Sequence, residues 1–173
     1  MDGLNFKKIT WANWLERDDT LIGPLRPSSN GTYMPLSGKD YLEDIYRPTL
    51  GRNVPKELHE LFEVARGAMS YGYFFYPLFT LAADQLFRVA ERAVAMKYET
   101  TGAPRGRKTF DKRIAYLYER DILSEKDRDR WDGIRELRNR SSHPAQQDIL
   151  PPAMTIRLIA TIAEQINSLY GDV

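Results

Sequence analysis

From Pro55 onward, apolar residues return every three or four positions, and that period dictates helices before any other feature is considered. In "YPLFTLAADQLFRVAERAVAMKYE", Leu78, Leu81, Ala82, Leu86, Val89, Ala90, Ala93 and Val94 fall on one side of a helix turning about 100° per residue. "PKELHELFEVARGAMSYG" repeats the pattern with Leu58, Leu61, Phe62, Ala65 and Met69, with proline in the first turn and glycine near the end. Phe110, Ile114 and Leu117 mark a third stripe. "SEKDRDRWDGIRELRNRSS" opens with Ser124 and Asp127 at capping-box spacing and continues through Trp131, Ile134 and Leu137. The last segment begins at Pro151 and Pro152 and carries Leu158, Ile159, Ile162, Ile166 and Leu169. No segment alternates as a half-buried strand does. The expected fold is therefore all-α, an up-and-down bundle of about five helices over residues 53–173, with the helix through Leu86 at its centre.

Residues 1–52 read differently, because "GPLRPSSNGTYMPLSG" is rich in the residues that interrupt helices. This part is expected to form an irregular arm with one or two short helices, from "ITWANWLERDD" and "GKDYLEDIY". Trp11, Trp14 and Leu15 on the arm are expected to dock onto the protein's own core. "NGT" at Asn30 reads as a turn.

Charge and composition remove several function classes. The 25 Lys and Arg against 24 Asp and Glu leave a net charge of +1, so phosphate binding requires a local patch. The absence of cysteine excludes disulfides, thiol nucleophiles and cysteine zinc sites, and two histidines do not suffice for a His-rich metal centre. No metal or cofactor is expected. "MDGLNFKKITWANW" lacks a basic stretch leading into a long apolar run, and no run of about eighteen apolar residues occurs. The expectation is a cytoplasmic protein without a membrane span.

Two segments invite a binding-site reading and decline it. In "GAPRGRKT" the glycines and lysine are wrongly spaced for a phosphate-binding loop, and a helix precedes them where a strand is required; Arg105, Arg107 and Lys108 remain as a basic cluster suited to an RNA backbone or to solvent. In "SEKDRDRWD" arginines occupy positions where an EF-hand needs oxygen ligands. Its charges are better explained as a solvated helix face with pairs such as Arg128 with Asp132 and Glu136 with Arg140. His59, off the stripe of Leu58, Leu61 and Phe62, is expected on the helix surface.

"RELRNRSSHP" is different. Five helical steps separate Arg138 from His143 by about 140°, so the two converge only if the helix ends between them. Pro144 disfavours a helical His143, and Asn139, Ser141 and Ser142 are weak helix formers. An arginine fork grips phosphate, and a histidine exchanges protons near neutrality. RNA carries its own 2′-hydroxyl nucleophile, so one base and one charge stabiliser suffice for cleavage. On these residues alone, a polar helix end remains the competing reading.

Arg138, the four residues "NRSS" and His143, following a long helix with "LFRVAERAV", resemble the R-x4-H motif of the HEPN superfamily (higher eukaryotes and prokaryotes nucleotide-binding). The resemblance spans roughly residues 55–170. It implies a homodimer in which two motif helices share a cleft and, in active members, a metal-independent endoribonuclease acting on single-stranded RNA. Carried over, His143 is the acid/base, Arg138 contacts the scissile phosphate and Asn139 assists. Glu91 is the matching acidic residue on the central helix, and Arg140, Arg105, Arg107 and Lys108 are the RNA-binding candidates. The implied setting is stress response, toxin–antitoxin pairing or phage defence, with an antitoxin as a further partner. Members without catalysis serve as interaction or dimerisation modules, which is the alternative function.

Overall fold

Prolines mark where three of the helices begin. Pro55, Pro77 and Pro151 each stand at the N-cap, of α2 (Lys56–Tyr71), α3 (Leu78–Thr100) and α6 (Pro152–Tyr170) respectively. Proline's missing N–H is harmless there, since the first amides of a helix have no partner within it. The computed structural model describes residues 6–21, 25–27, 33–35, 37–103, 106, 109–141 and 150–171. It contains three further helices, α1 (Gly38–Tyr46), α4 (Phe110–Glu119) and α5 (Glu125–Ser141), so the fold is all-α. The arm adds a short antiparallel ribbon, β1 (Leu25–Pro27) against β2 (Tyr33–Pro35), with Arg26 opposite Met34.

Local chemistry explains the ends. At the start of α1, Ser37 and Asp40 form a reciprocal capping box, with Ser37 N donating to Asp40 Oδ2 at 2.9 Å. At the start of α5, Asp127 N donates to Ser124 Oγ at 3.1 Å, as the spacing predicts. Helix α4 ends with Asp121 at φ 56°, a left-handed conformation more often taken by glycine. There the amides of Ile122 and Asp121 bond back to the carbonyls of Leu117 and Tyr118 at 3.0 Å each, and so close the helix. Gly171, at φ 77°, ends α6.

The longest helix, α3, packs against α2, α4, α5 and α6. Its Ala82, Leu86, Val89, Ala90, Ala93 and Val94 are fully buried and meet Leu58, Phe62 and Met69 of α2 and Ile159, Ile162 and Ile166 of α6 in one core. Trp131 of α5 lies in the same core, edge-on to Phe110 of α4 at 6.3 Å between ring centres. Tyr41 and Ile45 of α1 join it too. Arg66 ties α1 to α2: its guanidinium bonds the Pro48 carbonyl and Glu63, and lies 4.8 Å and 5.1 Å from the rings of Phe62 and Tyr46.

Several local expectations are corrected. "ITWANWLERDD" forms consecutive turns over residues 11–15, not a helix, and Trp11 is 93% exposed rather than docked on the core. The arm is held instead by polar groups. Lys7 Nζ donates to the carbonyls of Glu16 and Phe74, and buried Asp18 accepts from the amides of Thr20 and Tyr76. His59 is half-buried, with Nε2 3.2 Å from the Gly51 carbonyl. Arg128 pairs with Asp129 and Glu125 rather than Asp132, which takes Arg135, and Glu136 also lies by Arg135 rather than Arg140. Leu81 and Leu137 belong to the predicted stripes, yet the structure leaves them 60% and 38% exposed. Among the described residues no helix is long and apolar enough to cross a membrane.

Candidate functional site

Helix α3 is apolar on the sides that face the core, but Asp84, Arg88 and Glu91 follow one another at four- and three-residue steps. That spacing puts them on one face. Helix α5 runs antiparallel alongside, as the order of its contacts shows: Ser141 Oγ donates to Asp84 Oδ1, and Arg138 Nη2 donates to Glu91 Oε2 at 3.0 Å. The two polar rungs are about 10 Å apart along α3, from the rise of seven helical residues.

Between and above the rungs opens a cleft of about 270 Å³ lined by Asp84, Phe87, Arg88, Glu91, Arg138 and Ser141. Buried Phe87 closes its floor, while Arg88 is exposed at its mouth. Arg138 and Glu91 are partly buried, with side chains 39% and 32% exposed. Arg138 also donates through Nη1 to Asn139 Oδ1 at 3.2 Å, so the guanidinium is held from two sides in one orientation. A guanidinium is a planar, permanently charged fork whose geometry matches phosphate and carboxylate, and here it borders open space.

Of the residues singled out in the sequence, Arg138, Asn139 and Glu91 are therefore brought together. Arg140 is exposed on α5, does not line the cleft and, two residues beyond Arg138, points to another side of the helix. His143, Arg105, Arg107 and Lys108 lie outside the described residues. The described chain resumes at Leu150, whose amide donates to Thr80 Oγ1 of α3 at 3.3 Å. Thr80 and Asp84 are one turn apart, so the chain leaves α5 and returns to α6 against the same stretch of α3.

Asp84, Arg88 and Ser141 were not anticipated. For the two on α3 the signal was a polar stripe, Asp84, Arg88 and Glu91, at helical spacing beside the helix's apolar face. Among the described residues, no group of three or more His, Cys, Asp or Glu side chains is placed to hold a metal ion. Comparisons with family models, with curated proteins and with solved structures find no match to this chain.

Proposed function

We propose that the chain is an RNA-binding protein of HEPN type, a metal-independent endoribonuclease that works as a homodimer with its site where α3 and α5 meet. One observation carries this reading: the motif arginine, Arg138, stands in an open cleft with its guanidinium oriented by Glu91 and Asn139, instead of lying along a solvated helix face. In this reading helices α2 to α6 form the up-and-down bundle that the resemblance implies. Exposed Leu81 and Leu137, on the two helices that carry the cleft, suit burial against a second copy.

The chemistry follows from RNA's own structure. His143 removes the proton from a 2′-hydroxyl, whose oxygen attacks the adjacent phosphorus. The bond to the 5′-oxygen breaks, that oxygen takes a proton, and a 2′,3′-cyclic phosphate remains. Arg138 stabilises the charge gathering on the non-bridging oxygens, and Asn139 supports it. Arg140, Arg105, Arg107 and Lys108 add backbone contacts. The biological setting is a cytoplasmic stress, toxin–antitoxin or phage-defence response with an antitoxin partner.

The test is purified protein with single-stranded RNA in chelator. Cyclic-phosphate ends are expected, and His143→Ala abolishes them with the fold intact. Undiminished cutting by His143→Ala, or failure of the wild type to bind RNA, overturns the reading.

A second reading, a non-catalytic interaction module, draws on the cleft's two carboxylates matching its two guanidiniums. The rungs are then struts between helices. Arg138→Ala decides: a large loss of thermal stability favours the strut, and an unchanged melting temperature with cleavage lost favours the site.

A further inference from the structure

In the cleft, each charged group but one is engaged. Arg138 is neutralised by Glu91 at 3.0 Å and Asp84 takes the Ser141 hydroxyl. Arg88 lies between them on the same face of α3, exposed at the mouth, with no hydrogen bond or ion pair within the described residues. Asp84 stands one turn away and yet does not pair with it, although acid and base four apart on a helix commonly do. The cleft therefore presents one uncommitted guanidinium outward and keeps its carboxylates turned to α5.

The size of the cleft narrows what that guanidinium meets. About 270 Å³ falls below the roughly 300–1,000 Å³ of pockets that enclose a whole small molecule. It is partly open to solvent, so it suits one phosphate of a longer strand lying across the mouth.

We propose that Arg88 is the primary phosphate-binding residue of this cleft and grips the backbone of a single nucleic-acid strand. The proposal rests on the RNA reading above and adds a consequence that it lacks. A contact to phosphate alone reads neither sequence nor sugar. Single-stranded DNA, which has no 2′-hydroxyl to react, then occupies the same cleft without being cut and inhibits RNA cleavage competitively. Asp84, the one carboxylate beside Arg88 that lacks a cationic partner, opposes the incoming phosphate.

The test uses the full chain with fluorescent oligouridylate and its deoxy analogue. Expected is similar affinity for both, and competitive inhibition of RNA cutting by the DNA. Arg88→Ala weakens both about tenfold, the loss of one charge-assisted hydrogen bond. It also flattens the slope of log affinity against log salt by about 0.7, the share of one phosphate contact on a single strand. Arg88→Lys recovers part of the affinity, and Asp84→Asn tightens binding. Lys39→Ala on α1, which removes the same charge elsewhere, leaves affinity unchanged. If the wild type binds and cuts RNA but DNA does not compete, or Arg88→Ala binds as tightly as wild type, the role of Arg88 is overturned and the nuclease reading stands. If the wild type binds neither strand, both fall.

Discussion

Arg138 reaches across from α5 to Glu91 on α3, Nη2 to Oε2 at 3.0 Å, and this contact joins the motif helix to the centre of the fold. Both side chains are about a third exposed, so water and salt screen the pair. A pair of this kind contributes about 0–1 kcal/mol. Arg138→Ala should lower the melting temperature by no more than about 4 °C, as ~1 kcal/mol does in a chain of this length. A double-mutant cycle with Glu91→Gln should give a coupling under ~1 kcal/mol. A coupling several times larger would mark the pair as a strut rather than part of a binding cleft.

Acid should release the arm before it unfolds the helices. Burial of the Asp18 carboxylate opposes its ionisation, but the amides of Tyr76 and Thr20 and the charge of Lys7 together outweigh that and hold its pKa below the ordinary range. An aspartate depressed in the folded state stabilises it above the unfolded pKa of about 3.9, and this contribution is lost as pH falls through the lower folded value. Proteolysis before Asp18 should therefore accelerate below about pH 4, ahead of the loss of helical circular dichroism. Asp18→Asn should loosen the arm at neutral pH, read as faster proteolysis before Asp18. Equal proteolysis of the variant and wild type would show that the clamp does not hold the arm.

Periodicity made the helices legible, and it failed at informative places. The stripe through Ile159, Ile162 and Ile166 is buried throughout, because that face of α6 packs into the core beside α3. Leu81 and Leu137 obey the same rule and yet stand in solvent, since a period names a face and not what covers it. Glu91 was found through the family resemblance, whereas Asp84, Arg88 and Ser141 become a group only once α3 and α5 lie antiparallel. Their long-range register is not written in either helix alone. The arm misled because tryptophan suggests docking, while Lys7 and Asp18, ordinary in the sequence, make the attachment. The corrected charge pairs of α5 reflect long flexible side chains choosing among several near partners.

Two glycines should respond to alanine with opposite signs. A Cβ at Gly72 would stand 2.7 Å from the ring of Phe79, itself fully buried, so the core must shift. Gly72→Ala should destabilise by about 1–3 kcal/mol, as overpacking does. Gly133, within α5, meets nothing within 4 Å. Gly133→Ala removes only the glycine's helix penalty and should stabilise by about 0.5–1 kcal/mol. Urea denaturation of the two variants measures both, and a stabilised Gly72→Ala would refute the close approach to Phe79.

Gln165 offers the sharpest test of the core. It is fully buried on α6, and neither its amide nitrogen nor its oxygen has a hydrogen-bond partner among the described residues. A buried polar group without a partner costs about 1–3 kcal/mol, while its neighbours Ile162 and Ile166 offer apolar surroundings. Methionine has nearly the same length and no unsatisfied donor, so Gln165→Met should keep the packing and remove the penalty. The melting temperature should rise by at least about 2–4 °C, the shift expected for ~1 kcal/mol at this size. A fall instead would mean that the amide is satisfied in solution by a buried water, and that removing it strands the water's other partners. Gln165→Glu gives the complementary reading: a carboxylate there must be desolvated to ionise, so its stability should drop steeply as pH rises past the ordinary carboxylate range.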